Sequence, residues 1–184
     1  MKLHLGCGST YLEGYVNVDN LSECPGAKVD RKVDLDKYPW HFKDNSSEEI
    51  VMNHVIEHLK APDKALREIS RIMKPGGILR MNVPHFSRSY GVHVHEKGFS
   101  TWSILTDTKD FFEPISVKLI WDHPGNFKHA KFIFAPFCRF WNRVLNINLW
   151  FSERFLIYKF GGIQEMQFVL KKKVNTEHNV TRLK

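Results

Sequence analysis

The sequence predicts an α/β fold, with a doubly wound and mostly parallel sheet. Over residues 1–85, short apolar runs alternate with helical or turn segments, and glycines or polar residues follow the runs. The chain has 184 residues, of which 42 % are apolar, and this is enough for one domain with a substantial core. This composition excludes a disordered or collagen-like chain. The three cysteines have no framework spacing and indicate free thiols.

The first 85 residues contain one candidate helix among several candidate strands. The helix begins at Pro62, with Asp63 as its N-cap, and ends at the Lys-Pro-Gly-Gly sequence of residues 74–77. Strands are predicted over Lys2–Leu5, Tyr15–Val18, Lys32–Leu35, Glu49–Met52 and Ile78–Val83. Ligands of such sheets bind at the carboxyl ends of the strands, so the polar residues there are the first candidates for a site.

After His85 the pattern is less regular. We expect a helix over Ser100–Phe112, a strand over Ser116–Trp121, a helix over Phe132–Leu145 that is broken near Pro136, and a last strand over Gln164–Leu170. These elements complete and roof the sheet. We therefore treat residues 1–184 as a single domain, with a first half (1–85), a second half (86–170) and a frayed polar tail (171–184).

The positive charge of the chain is concentrated in the second half. The net charge is +7, and residues 1–85 contain as many acidic as basic residues. The same part of the chain, after His85, carries 19 of the 24 aromatic residues. Three interpretations stay open for this basic aromatic region: a core roof or homodimer face, a peripheral patch on a membrane that carries an anionic or lipid-linked glycan, and a nucleic-acid surface. Nucleic acid ranks last, because no recognised RNA-binding module is present.

The amino terminus predicts a cytoplasmic protein. The sequence MKLHLGCG leads straight into a strand, without a charged region followed by an apolar one. The longest apolar region, residues 132–160, is interrupted by charged and polar side chains and does not predict a membrane span. A peripheral position at the inner membrane surface is compatible with this pattern.

A glycine turn and an acid suggest a ligand site. Gly6 and Gly8 follow the first strand, where the absence of a Cβ lets a ligand approach the backbone. Asp19 ends the second strand, where its carboxylate can accept both hydroxyls of a ribose. The plain alternatives are an ordinary tight turn and a solvated strand end.

The sequences LHLGCG, VNVD and VDLDKYPWHFKDNSSEEIVMNHVIEHLKAPDKALREISRIMKPGGIL carry a family resemblance. Over residues 3–85 the chain resembles the class I S-adenosylmethionine-dependent methyltransferases of the type 11 group. The resemblance implies a Rossmann-like sheet, S-adenosylmethionine as cofactor, and residues 1–85 as the cofactor-binding half. It assigns Gly6, Cys7 and Gly8 to the loop under the methionine part, Asp19 to the ribose, Asp34 and Leu35 to the adenine, and Asn53 and His54 to the methionine side.

The chain departs from the family pattern at two places. His4 stands where the family has an acid that contacts the methionine ammonium, and only Ser9–Gly14 separates the glycine turn from the second strand, so the first helix is reduced to a turn. A subgroup found in cell-surface polysaccharide gene clusters has the same compressed form. It also has a His-x-x-x-Phe-Ser/Thr segment, which here is His95, Phe99 and Ser100. This likeness implies a glycan-type acceptor bound by the second half.

Histidines are the candidate bases. His85 ends the fifth strand at the predicted ligand edge, and a neutral imidazole there, or at His95, can take a hydroxyl proton near neutral pH. The alternative is that both are loop histidines that shape a pocket. His93 and His95 give only a weak metal signal, so no metal is predicted. For Glu57 and His58 we expect a packing and capping role at a helix start.

The segment after the fourth strand favours an oxygen acceptor. It reads Asn53-His-Val-Ile56 and lacks the Asn/Asp-Pro-Pro-aromatic sequence of enzymes that methylate amide or adenine nitrogen. We therefore expect a methyltransferase acting on a small-molecule or glycan acceptor. The alternatives are a non-catalytic methyltransferase-like binding module and an RNA methyltransferase.

Overall fold

The computed structural model describes residues 1–20, 25–89, 98–122, 131–157 and 162–174. A seven-stranded sheet has the order β3-β2-β1-β4-β5-β7-β6. Strand β7 is antiparallel to both of its neighbours, and every other pair is parallel. The strands are β1 (Lys2–Leu5), β2 (Val16–Asp19), β3 (Arg31–Lys32), β4 (Ser47–Asn53), β5 (Met73–Pro84), β6 (Phe112–Ile120) and β7 (Glu165–Lys172). The mostly parallel α/β sheet predicted from the sequence is confirmed.

Helices flank this sheet. They are α1 (Pro62–Ile72), α2 (Phe86–Ser89), α3 (Thr101–Thr108), α4 (Lys131–Leu145) and α5 (Leu149–Phe151), with a 3₁₀ turn at Ile56–His58 and a π turn at Ser152–Leu156. None of the helices in the described ranges has the length and apolar composition needed to cross a bilayer. Between β1 and β2, residues 6–15 form turns without a helix, so the predicted loss of the first helix is confirmed.

Helix α1 packs on the sheet with one apolar face. Leu66, Ile69 and Ile72 are buried against the core, at the spacing that places them on one side of a helix. The N-cap is Ala61, and Asp63 lies in the first turn, so the prediction of Asp63 as N-cap is wrong. Its carboxylate there complements the positive end of the helix dipole.

A loop is tied to α1 by a single arginine. Arg71 donates hydrogen bonds to the carbonyls of Trp40 and Phe42, at 3.0 and 2.8 Å, and pairs with Glu68 at 2.6 Å. Glu68 in turn accepts a hydrogen bond from the Trp40 amide at 2.7 Å. The segment between β3 and β4 is therefore held without a helix of its own.

The predicted boundaries are wrong in several places. Strand β3 ends at Lys32, so Asp34 and Leu35 lie in the turn after it. Strand β5 begins directly after α1 and includes Lys74 to Gly77, and α4 continues through Pro136 without a break. Pro136 is the sixth residue of α4, so the helix lacks the one hydrogen bond that an amide there would donate to the carbonyl four residues earlier. Strand β7 extends to Lys172, two residues into the predicted tail, and residues 175–184 lie outside the described ranges.

Candidate cofactor site

A cavity of about 490 Å³ lies at the carboxyl edge of β3, β2, β1 and β4. This volume is ample for a nucleoside-sized ligand. The structure brings together all eight predicted cofactor residues, Gly6, Cys7, Gly8, Asp19, Asp34, Leu35, Asn53 and His54, with Ser9, Thr10, Asn20, Val33, Asp36, Val55, His58 and Leu59 beside them. The parallel strands explain this, since their carboxyl ends meet at one edge.

The glycine turn after β1 is tightly packed. Gly6 has φ +63°, and a Cβ added there would lie 2.4 Å from Cγ2 of Val55, so no other residue fits without displacing a buried side chain. The Gly8 amide donates a hydrogen bond to Oδ2 of Asp19 at 2.9 Å. The loop from β1 is thereby tied to the end of β2, and the Asp19 carboxylate has a fixed orientation.

Two further carboxylates follow β3. The Asp36 amide donates to Oδ1 of Asp34 at 3.0 Å, and Lys37 Nζ lies 3.3 Å from Oδ2 of Asp34. These two contacts, the backbone hydrogen bond above all, hold the pKa of Asp34 below its usual value. Asp36 accepts a hydrogen bond from the Lys60 amide at 2.8 Å. The turn is therefore acidic and ordered, and the buried side chain of Leu35 adds an apolar surface.

His54 carries a positive charge at the other end of the cavity. Its Nε2 lies 2.7 Å from Oε2 of Glu165, and its Nδ1 lies 3.4 Å from Oε1 of Glu57. The hydrogen bond to Glu165 and then the neighbouring carboxylate of Glu57 raise the pKa of His54 to about 9, and they outweigh the opposing effect of burial. The imidazole is therefore protonated at neutral pH. The residue has φ +52°, a left-handed conformation in which the strand turns sharply away.

Glu57 is a buried carboxylate between two imidazoles. Its oxygens form no hydrogen bond, and Oε1 lies 3.4 Å from Nδ1 of His54 and 4.0 Å from Nε2 of His58. A buried charge of this kind needs a nearby opposite charge. Glu57 therefore interacts electrostatically with the imidazolium of His54. This interaction adds to the packing and capping role that is expected from the sequence.

Sequence reasoning missed Glu165. It is the first residue of β7, and it lies opposite Pro84 at the end of β5. Because β7 is antiparallel, its first residue reaches the same edge as the last residues of the parallel strands. No local pattern in the sequence marks that reversal.

His4 contributes no charge to the cavity. Its ring is 2 % exposed, does not line the cavity, and lies 3.1 Å from Oδ1 of Asn17 through Nδ1. Burial lowers the pKa of His4, so the ring is neutral at physiological pH. The acid that the family has at this position is replaced by an uncharged packing residue.

His85 is fully buried and is not among the residues that line the cavity. The Ser87 amide donates to its Nδ1 at 3.2 Å, and its Nε2 lies 3.2 Å from Oε1 of Glu153. Glu153 also accepts hydrogen bonds from the amide and hydroxyl of Thr101, at 2.8 and 2.6 Å. These contacts connect β5, the start of α3 and the π turn. The role of His85 as a base stays a prediction, and His95 lies outside the described residues.

The charges of the cavity fit a sulfonium ligand. Asp19, Asp34 and Asp36 line it, and no lysine or arginine does so among the residues described. A dinucleotide or nucleoside triphosphate needs cations or helix amides at its phosphates. S-Adenosylmethionine carries no phosphate and has a positive sulfur, so the residues present suit it.

The fold and the edge cavity define a Rossmann-like α/β protein with a nucleoside-type site. In a comparison of the sequence with known families, residues 3–81 match the family described as Methyltransferase domain. No curated protein has a significantly similar sequence.

Solved structures with the same fold include a SAM-dependent methyltransferase from Archaeoglobus fulgidus, with a TM-score of 0.64 and 16 % identity over 93 % of this chain and 85 % of that one. A second is phosphoethanolamine N-methyltransferase 2 of Haemonchus contortus, in complex with phosphomonomethylethanolamine and S-adenosylhomocysteine. Its TM-score is 0.56, with 17 % identity over 94 % of this chain and 48 % of that one. A third is the [4+2]-cyclase SpnF, with a TM-score of 0.59 and 16 % identity over 94 % and 74 %.

The protein thus has the Rossmann-like fold of class I S-adenosylmethionine-dependent methyltransferases.

Proposed function

We propose that the protein transfers the methyl group of S-adenosylmethionine to an oxygen of a small-molecule or glycan-type acceptor. One observation carries the proposal: the glycine turn and three carboxylates line one cavity across four neighbouring strands, and no arginine or lysine joins them among its described residues. When bound, the cofactor supplies an electrophilic methyl group on a sulfonium. The work of the protein is then chiefly positioning.

Each part of the cavity has a role in this proposal. The carboxylate of Asp19, oriented by the Gly8 amide, would accept the ribose hydroxyls. The turn at Asp34 and Leu35 would hold the adenine by its amino group and one ring face. The glycine turn would lie under the methionine part, and Gly6 packs directly against Val55, where a Cβ has no space.

His54 fits the carboxylate of the methionine part. Its ring is held as an imidazolium by Glu165 and Glu57, and it lies at the β4 end of the cavity, away from Asp34 on the β3 side. A fixed cation there would pair with the only negatively charged group of the cofactor. The adenine-to-methionine direction of the ligand would then follow the strand order from β3 to β4.

The acceptor class rests on the sequence. The Asn53-His-Val-Ile56 segment after β4 lacks the sequence typical of amide and adenine N-methylation, which favours oxygen, and the resemblance to the polysaccharide-associated subgroup favours a glycan. His85 or His95 is the proposed base for the acceptor hydroxyl.

Calorimetric titration with S-adenosylmethionine tests the binding step. We expect Asp19→Ala to weaken binding by tenfold or more, since each hydrogen bond to a charged group contributes roughly 1.5–3 kcal/mol. Asp63→Ala is the matched control, because it removes an exposed carboxylate from α1 outside the cavity. Absence of binding by the unaltered protein would overturn the proposal.

Transfer from radiolabelled S-adenosylmethionine to nucleotide sugars, glycolipids and RNA tests the acceptor. Product analysis by mass spectrometry then assigns the methylated atom. We expect label on a hydroxyl of a sugar-containing acceptor. Label on RNA, or on nitrogen alone, would contradict the proposed acceptor while leaving cofactor binding intact.

A second candidate is a non-catalytic binding module. His4 is a neutral packing residue where the family has an acid, and the first helix is absent from residues 6–15. A [4+2]-cyclase has a similar fold, so the fold by itself does not establish methyl transfer as the activity. This candidate predicts weak or no cofactor binding and no methyl transfer to any acceptor, so turnover with one acceptor excludes it.

A further inference from the structure

Helices α4 and α5, with the π turn, present large apolar side chains to solvent. Their exposed residues form what we call the aromatic basic face. Its apolar members are Phe137, Phe140, Ile147, Trp150, Phe151 and Phe155, each at least 45 % exposed. The same segments already have a buried side, which includes Cys138, Leu145 and Ile157. The outward apolar residues are therefore additional to those needed for packing on the domain.

The face is basic as well as apolar. Arg139, Arg143 and Arg154 are exposed on it. The only acid in residues 135–156 is Glu153, and it is turned inward to Thr101 and His85. Arginines and aromatic rings without an intervening acid are the composition of helices that lie on anionic membranes.

The domain holds this face in a fixed position. Asn146 exchanges hydrogen bonds with the backbone of Leu119, at 2.9 and 2.7 Å, and Oδ1 of Asn142 accepts one from the Trp121 amide at 2.7 Å. Helix α4 is thereby fastened to β6. The rings also contact one another, with the centroids of Phe151 and Phe155 at 5.0 Å.

We propose that the aromatic basic face binds the surface of a bilayer that contains anionic lipids. A second copy of the chain is disfavoured by charge: a twofold interface places the same patch on both subunits, so the three arginines would face one another with no acid to pair them. RNA is disfavoured because the most exposed apolar member, Ile147 at 79 %, cannot stack on bases. In a bilayer, the apolar side chains can insert at the boundary between headgroups and acyl chains, and the guanidinium groups can pair with anionic headgroups. The proposal is independent of the methyl-transfer reaction.

Co-sedimentation of the full chain with vesicles tests this proposal. We expect binding to vesicles of phosphatidylcholine with phosphatidylglycerol, little binding to phosphatidylcholine alone, and release at high salt. Arg143→Gln is expected to weaken binding roughly fivefold, because each basic residue near an anionic surface contributes about that factor. Ile147→Ser is expected to weaken it by a similar or larger factor.

Two variants outside the face serve as matched controls. Ile115→Ser changes an exposed isoleucine of β6, and Arg67→Gln changes an exposed arginine of α1. Neither is expected to alter binding, and urea unfolding checks that all four variants are folded. The proposal is overturned by equal binding of the Ile147→Ser and Ile115→Ser variants, or by no binding to anionic vesicles. It is also overturned if the protein does not bind vesicles and Ile147→Ser either dissociates a dimer or abolishes RNA binding.

Discussion

Replacement of Gly6 by alanine adds a single carbon atom and so tests how closely the cofactor loop packs against Val55. The new Cβ would lie 2.4 Å from Cγ2 and 2.8 Å from Cγ1 of Val55, distances that non-bonded carbons do not adopt. Val55 is buried and cannot simply turn into solvent. Either the Val55 side chain or the loop must therefore move, and a shift of the loop carries with it the Gly8 amide that orients the Asp19 carboxylate.

The expected cost has two parts. Gly6 has φ +63°, and an alanine in that region costs about 1–2 kcal/mol. Displacement of a buried valine adds about 1–3 kcal/mol, the usual cost of overpacking. We expect the free energy of unfolding to fall by about 2–5 kcal/mol, and affinity for S-adenosylmethionine to fall at least tenfold in the protein that remains folded.

Gly14→Ala separates the two parts. Gly14 has φ +81°, but a Cβ there meets no atom within 4 Å, so only the backbone cost of about 1–2 kcal/mol applies. Urea unfolding of Gly6→Ala, Val55→Ala and the double variant completes a double-mutant cycle, and Gly14→Ala is measured beside them. We expect a coupling of about 1–3 kcal/mol between positions 6 and 55. Equal destabilisation of the Gly6 and Gly14 variants, or no coupling, would refute the packing argument.

Three further substitutions test individual contacts. The folded-state pKa of His54, about 9, exceeds its ordinary value of 6.5. His54 therefore contributes stability that is fully present below about pH 6.5 and lost as the pH rises through about 9. The shift corresponds to about 3.4 kcal/mol, which solvent screening of a ring that is 44 % exposed reduces to about 1 kcal/mol. His54→Gln should thus destabilise the protein near pH 6 and have little effect near pH 10, whereas a pH-independent difference in urea unfolding would contradict this. Arg71→Met should cost about 3 kcal/mol in urea unfolding by leaving Glu68 unpaired, and cofactor affinity, measured by calorimetry, should stay within a factor of two. His85→Phe should cost about 1–3 kcal/mol by depriving Glu153 of one of its three hydrogen-bond partners, and unchanged thermal and urea unfolding would show that this contact is unimportant.

The cofactor side of the fold was predictable because its signals are local. Gly6 and Asp19 each follow a short apolar run, and parallel pairing alone brings such residues to one edge. Asp34 was placed correctly in the cavity even though the end of its strand was predicted three residues too late, because a turn after the strand still lies at that edge. The end of β3 was predicted wrongly because the Asp34 carboxylate accepts a hydrogen bond from the Asp36 amide, which competes with strand pairing.

The remaining features depend on contacts distant in sequence. The partner of His54 is Glu165, 111 residues away and on the one antiparallel strand. The environment of His85 likewise depends on Glu153, which lies in a π turn that no periodicity predicts. The sequence therefore predicts where a histidine at a strand end lies. Its environment depends on partners that are distant in sequence, as Glu165 is for His54 and Glu153 is for His85.

The separation of charge along the sheet gives a last prediction. In the proposed orientation the sulfonium lies toward β4, whereas α4, which carries Arg139 and Arg143, is fastened to β6, three strand positions away. At about 4.8 Å per strand this is about 14 Å, or nearly two Debye lengths at physiological ionic strength. Repulsion between these two arginines and the sulfonium is therefore largely screened. Affinity for S-adenosylmethionine should change little between low and high salt while vesicle binding falls steeply, and an equally steep loss of both in parallel titrations would show that the two sites share one electrostatic field.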